Sequence, residues 1–154
     1  MSKRLLLSFI FICVILQITI IPYFKIFGIK PDLILSSVVI VSLSCDLKLA
    51  LALSIFAGAF KDIFGANTFA INSLVSGLWS LLVIKLSRRI AIDINLSRAG
   101  LIFVIAILNA FVVRIFFWYS GTYVPLGIFL RISFLDSLYT ALVSLLVFRV
   151  LKIK

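Results

Sequence analysis

Histidine and glutamate are absent from the chain, and its 5 acidic residues are all aspartates: Asp32, Asp46, Asp62, Asp93 and Asp136. Without histidine there is no triad base and no imidazole ligand for a metal. No two aspartates are spaced to act as general acid and base, and no glycine-rich loop runs into Lys-Ser or Lys-Thr. A non-enzymatic role without cofactor or metal is therefore expected. Cysteine is scarce as well. Cys13 and Cys45 lie in different apolar segments without metal-type spacing, and read as small buried hydrophobes. Charged residues make up 13% of the chain, about half the share in a soluble domain.

Apolar residues fill the gap. They are 64% of the 154 residues, with a mean hydropathy of +1.34. Several uncharged runs approach or reach the roughly 20 residues that cross a bilayer core. The expected class is an all-α integral membrane protein, a single domain at home in the lipid bilayer. The net charge of +10 does not point to nucleic acid, because the basic residues flank apolar segments instead of lining a soluble surface.

Six spans are expected, at about 5–24, 31–45, 49–64, 68–84, 99–119 and 128–150. The first has a basic start but no small-residue cleavage site, so it reads as a retained helix and not a removed signal. Pro22 is tolerable near its far end. Pro31 suits the first position of the second helix. "DLK" at 46–48 reads as a tight reversal, Gly65 as a residue just past a helix end, and Asn67 or Thr68 as a cap for the fourth helix. The second and third spans have short uncharged cores, Leu33–Cys45 and Leu49–Phe60. A re-entrant hairpin would put Asp46 and Lys48 inside the bilayer at a cost of a few kcal/mol each. Two short spans avoid that cost and are the preferred expectation.

Charge asymmetry sets the orientation. With the N-terminus inside, Lys3, Arg4, Lys48, Lys85, Arg88, Arg89, Arg98, Arg149, Lys152 and Lys154 face the cytoplasm. Lys25, Lys30, Lys61, Arg114 and Arg131 face outward, so both termini are expected to be cytoplasmic.

The third span carries the most informative pattern. Ala50, Ser54, Gly58 and Asp62 recur every fourth residue and form one stripe along a helix. Small residues there admit a second backbone at close range. Lys61, about 100° around the helix, is expected to snorkel outward. Asp62 is expected to meet Arg114 or Arg131, with Asp136 completing an intramembrane ion-pair cluster. Such a cluster reads either as a functional site or as ion pairs that fix packing. Gln17, Asn72 and Asn109 are expected to hydrogen-bond between helices.

"IKPDLIL" opening the second span and "AGAFKDIFGANTFAINSL" bridging the third and fourth resemble the MreD family of rod shape-determining membrane proteins. Pro31, Asp32, Gly58, Asp62 and Gly65 carry the likeness, although Gly65 is three residues past Asp62 where the family spacing is four, and Ala70 stands near the usual downstream glycine. The resemblance covers essentially the whole chain. It implies a scaffold of the cell-elongation machinery in the bacterial cytoplasmic membrane. Its partners would be an MreC-like single-span protein and, indirectly, MreB filaments, the RodA glycosyltransferase and its penicillin-binding partner. The alternative is a solute-binding subunit like the S-components of energy-coupling factor transporters, whose fold is similar. Those typically carry an Ala-x-x-x-Ala surface on the first helix, and Leu5–Phe24 contains no alanine.

Overall fold

The structure, a computed structural model, describes residues 3–24, 29–64, 70–89, 94–119, 121 and 125–151. Of these residues 89% are helical, with no β-strand. The α-helices are α1 (Lys3–Thr19), α2 (Leu33–Ser44), α3 (Leu47–Phe64), α4 (Ile71–Ser87), α5 (Asn95–Tyr119) and α6 (Leu126–Leu151), with a 3-10 turn at Ile21–Tyr23. Three stretches are long and apolar enough to cross a membrane: Leu6–Tyr23, Leu96–Phe116 and Leu126–Arg149. The helices fall into two compact units, α1–α4 and α5–α6.

Helix ends follow local chemistry and depart from several expected boundaries. Thr19 ends α1, short of Phe24, and Pro22 sits in the first positions of the 3-10 turn. Proline restricts the residue before it and has no N–H for the ladder. Pro31 is not the first helical residue of α2. Asp32 is the N-cap, its carboxylate accepting from the Leu35 N–H at 2.9 Å. The reversal before α3 is Cys45–Asp46, tighter than the expected 46–48, and the Asp46 carbonyl takes the first helical bond from the Ala50 N–H at 2.9 Å. Helix α4 begins at Ile71, later than 68, and Asn67, Thr68 and Gly65 lie outside the described residues. Helix α5 starts earlier than expected, at Asn95. Past its end, Gly121 takes φ +83° and donates to the Trp118 carbonyl at 3.1 Å.

In the first unit α2 packs on α1, α3 and α4, and α3 and α4 make the most extensive pairing. Every residue of Leu33–Ser42 is buried, so α2 has no outward face. The core joins Leu6, Ile10 and Val14 of α1 to Ile34, Val38 and Val41 of α2 and Ala50, Leu53 and Ala57 of α3, with Ile84 of α4. Those three- and four-residue intervals mark one face of each helix. The opposite faces of α1, α3 and α4 expose large apolar residues such as Leu7, Phe11, Ile63, Leu74 and Leu78. That is the distribution expected where the solvent is hydrocarbon.

In the second unit α5 packs on α6. Edge-on ring pairs Phe103–Phe134 (5.6 Å) and Phe111–Phe129 (5.4 Å) tie the two helices together. Helix α6 buries Ser133, Ser137, Thr140, Ala141 and Ser144 along one face. The hydroxyls of Ser137 and Ser144 donate to the carbonyls of Ser133 and Ala141, both at 2.7 Å, which leaves the small-residue face free of unmet donors there.

Candidate functional site

Two helices of the first unit start where α1 and α3 end, so four backbone N–H groups at each start lack helical partners. Ala70, the N-cap residue of α4, has no side chain that could help, and the cap comes from α3. Asp62 Oδ1 accepts from the Asn72 backbone N–H at 3.1 Å and from Asn72 Nδ2 at 2.8 Å. Asp62 Oδ2 accepts from the Ser73 N–H at 2.9 Å. The carboxylate thus satisfies two orphan donors and sits against a helix terminus worth about half a positive charge.

The start of α2 is served in the same way. Gln17 of α1 accepts the Leu33 N–H at 2.8 Å through Oε1, while Asp32 accepts that of Leu35. The second oxygen of Asp32 pairs with the Lys61 ammonium. Lys61 is therefore not a snorkelling side chain. It turns to Asp32, 29 positions earlier, and the pair is largely withdrawn from solvent, with side-chain exposures of 30% and 14%. Two consecutive residues at the end of α3 thus hold two different helix starts. Adjacent side chains diverge by about 100°, so one turn can reach both.

Close approach makes this geometry possible. A Cβ added at Gly58 would lie 2.4 Å from the Asn72 carbonyl oxygen and 2.6 Å from Ser73 Cα. Helix α4 reciprocates at Gly77, where a Cβ would meet Ile55 Cγ1 at 3.2 Å. Across the seam Ser73 Oγ donates to the Ile55 carbonyl at 3.2 Å, while within α4 Ser76 Oγ donates to the Asn72 carbonyl one turn back at 2.5 Å. Ala50 and Ser54 of the same stripe are fully buried, and Ser54 Oγ has no hydrogen-bond partner among the described residues. Deeper in the unit, Ser42 Oγ donates to Ser80 Oγ at 2.8 Å and joins α2 to α4.

The structure thus brings Asp32, Gly58 and Asp62 into one arrangement, with Ala50 and Ser54 further down the stripe. Arg114, Arg131 and Asp136 lie on α5 and α6 in the second unit, where the Arg114 guanidinium stands 4.2 Å over the Phe129 ring and Arg131 is exposed. Sequence reading did not anticipate the Lys61–Asp32 pair or the capping of α4 by Asp62. The available signal was the alanine at position 70, which leaves the helix start in need of an outside acceptor.

Among the described residues there is no group of three or more potential metal ligands. Fold and site define an all-helical protein with three helices long and apolar enough for a membrane, in which Asp32, Lys61 and Asp62 serve to hold helix ends. No protein-family model, curated protein or solved structure matches the chain.

Proposed function

We propose that the chain is a non-enzymatic scaffold of the bacterial cell-elongation machinery, as its resemblance to the MreD family implies. It crosses the cytoplasmic membrane six times with both ends inside. It joins an MreC-like single-span protein, and through it MreB filaments, to RodA and its penicillin-binding partner by contacts between helices. The observation that carries the reading is the fate of the charges in "AGAFKDIFGAN". Asp62 and Lys61 are engaged in fixing α2 and α4, which suits a rigid surface-presenting bundle. Transporters that grip an anionic substrate can do so with free helix N-termini. Here both converging N-termini already receive acceptors from the chain's own side chains.

Depletion in a rod-shaped host tests the proposal. The expected outcome is rounding or widening of the cells without a new nutrient requirement. Cells that keep their shape and are rescued by a single vitamin would transfer the protein to the transporter class.

A further inference from the structure

The outward face of α4 is not uniform. Leu74, Leu78, Leu81 and Leu82 are exposed, and they run directly into exposed Lys85, Arg88 and Arg89. At 100° per residue the five positions on α4 share an arc of about 100°, and the C-cap Arg88 and Arg89 follow directly past the helix end. The leucine part is about 12 Å long at 1.5 Å per residue, close to the roughly 15 Å of one hydrocarbon leaflet. We propose that this face binds an anionic phospholipid, with its acyl chains along the leucines and its phosphate among Lys85, Arg88 and Arg89.

Charge complementarity selects the headgroup. Gln17, Asp32 and Asp62 engage the starts of α2 and α4, so the end of α4 lies at the opposite end of the unit, the end that also holds the starts of α1 and α3. Lys3 and Arg4 open α1, Lys48 lies in the first turn of α3, and Asp46 is the one acidic residue in the α2–α3 turn. The described salt bridge, Lys61–Asp32, is at the far end, and none of Lys85, Arg88 and Arg89 is paired with a carboxylate among the described residues. The carbonyls at the end of α4 carry only about half a negative charge. Among the described residues, which do not include Asp93, three cations exceed what those carbonyls can balance, and a phosphodiester supplies the balancing anion at the depth where the leucines stop. A zwitterionic lipid offers the same chains but brings its own cation. The inference goes beyond the scaffold reading and does not depend on it.

The test uses the full chain in mild detergent, with native mass spectrometry counting bound dioleoyl phosphatidylglycerol against dioleoyl phosphatidylcholine. Near-surface cations contribute about 1 kcal/mol each, so three predict a preference of up to about 100-fold for phosphatidylglycerol at low salt. The preference should fall steeply at about 0.5 M salt, where the screening length is a few ångströms. Lys85→Gln with Arg88→Gln and Arg89→Gln should bring it close to one, while Arg88→Lys with Arg89→Lys should retain it. For location, Leu78→Trp should be quenched by acyl-brominated phosphatidylglycerol more than by the brominated choline lipid, beyond any change in the parent. Equal binding of the two lipids by the parent protein overturns the proposal even if the triple variant does not fold. A preference that survives the triple variant, or persists at high salt, also overturns it.

Discussion

Adding one methyl group at Gly58 sets two known effects against each other. Glycine to alanine inside a helix gains about 1 kcal/mol of propensity. Against this, the new Cβ would lie 2.4 Å from a carbonyl oxygen and 2.6 Å from a Cα of α4, and backbone atoms cannot rotate away. Ordinary contact is reached only if the helices part by roughly 1 Å, and overpacking of that kind costs about 1–3 kcal/mol. The same displacement stretches the Asp62 bonds to Asn72 and Ser73 beyond hydrogen-bonding range, and a lost cap adds about 0.5–2 kcal/mol. The net expectation for Gly58→Ala is a loss of about 0.5–4 kcal/mol. Two other glycines provide the controls. Gly77→Ala meets only the movable Ile55 side chain and should be near neutral, and Gly100→Ala meets nothing within 4 Å and should be neutral or stabilising. Thermal unfolding in mild detergent, followed by circular dichroism and by the emission of Trp79 on α4, ranks the three. If Gly58→Ala is as stable as Gly100→Ala, the close approach of α3 and α4 is wrong.

Asp62→Ala should destabilise by about 1–3 kcal/mol, because it leaves part-buried N–H groups of α4 without acceptors, and Asp62→Asn should lose less by keeping one acceptor. Faster hydrogen exchange at the amides of Asn72 and Ser73 is the specific readout, and unchanged exchange refutes the cap. A double-mutant cycle with Lys61→Met and Asp32→Asn should give a coupling of about 1–3 kcal/mol, between the values for exposed and buried pairs. A coupling near zero would mean that Lys61 reaches solvent after all. A cytoplasm-only reporter fused after Lys154 should be active, and activity of an outside-only reporter there would refute cytoplasmic termini.

Some of this was legible without coordinates. The four-residue recurrence of Ala50, Ser54, Gly58 and Asp62 is a local signal, and periodicity alone implies that these side chains share a face. The partner of Asp62 is not local. It lies ten residues on, across a turn, at a helix start whose N-cap alanine offers no side-chain clue. Sequence logic therefore sought a cap at Asn67 or Thr68, close to the turn itself. Pro31 and Asp32 posed a different problem, since adjacent residues both signal a helix start. The carboxylate that could accept the Leu35 N–H fixed the boundary. Lys61 was misread because an isolated lysine near a bilayer edge has a low-cost default, reaching outward, and the aspartate that overrides it is 29 positions away.

That long separation has a consequence for synthesis. A chain made from its N-terminus contains Asp32 well before it contains Lys61, at roughly 5–20 residues per second a gap of a few seconds. During that interval α2 is a 12-residue segment bearing an uncompensated carboxylate and the serines Ser36, Ser37, Ser42 and Ser44. At about 18 Å it is short for a 30 Å hydrocarbon core, so its polar ends depend on neighbouring helices or on local thinning of the bilayer. Only the emergence of α3 brings the counter-charge, and only α4 brings the Ser80 hydroxyl that receives Ser42. Helix α2 is therefore the second helix to be made, yet it gains its Ser80 partner only once α4 has been made.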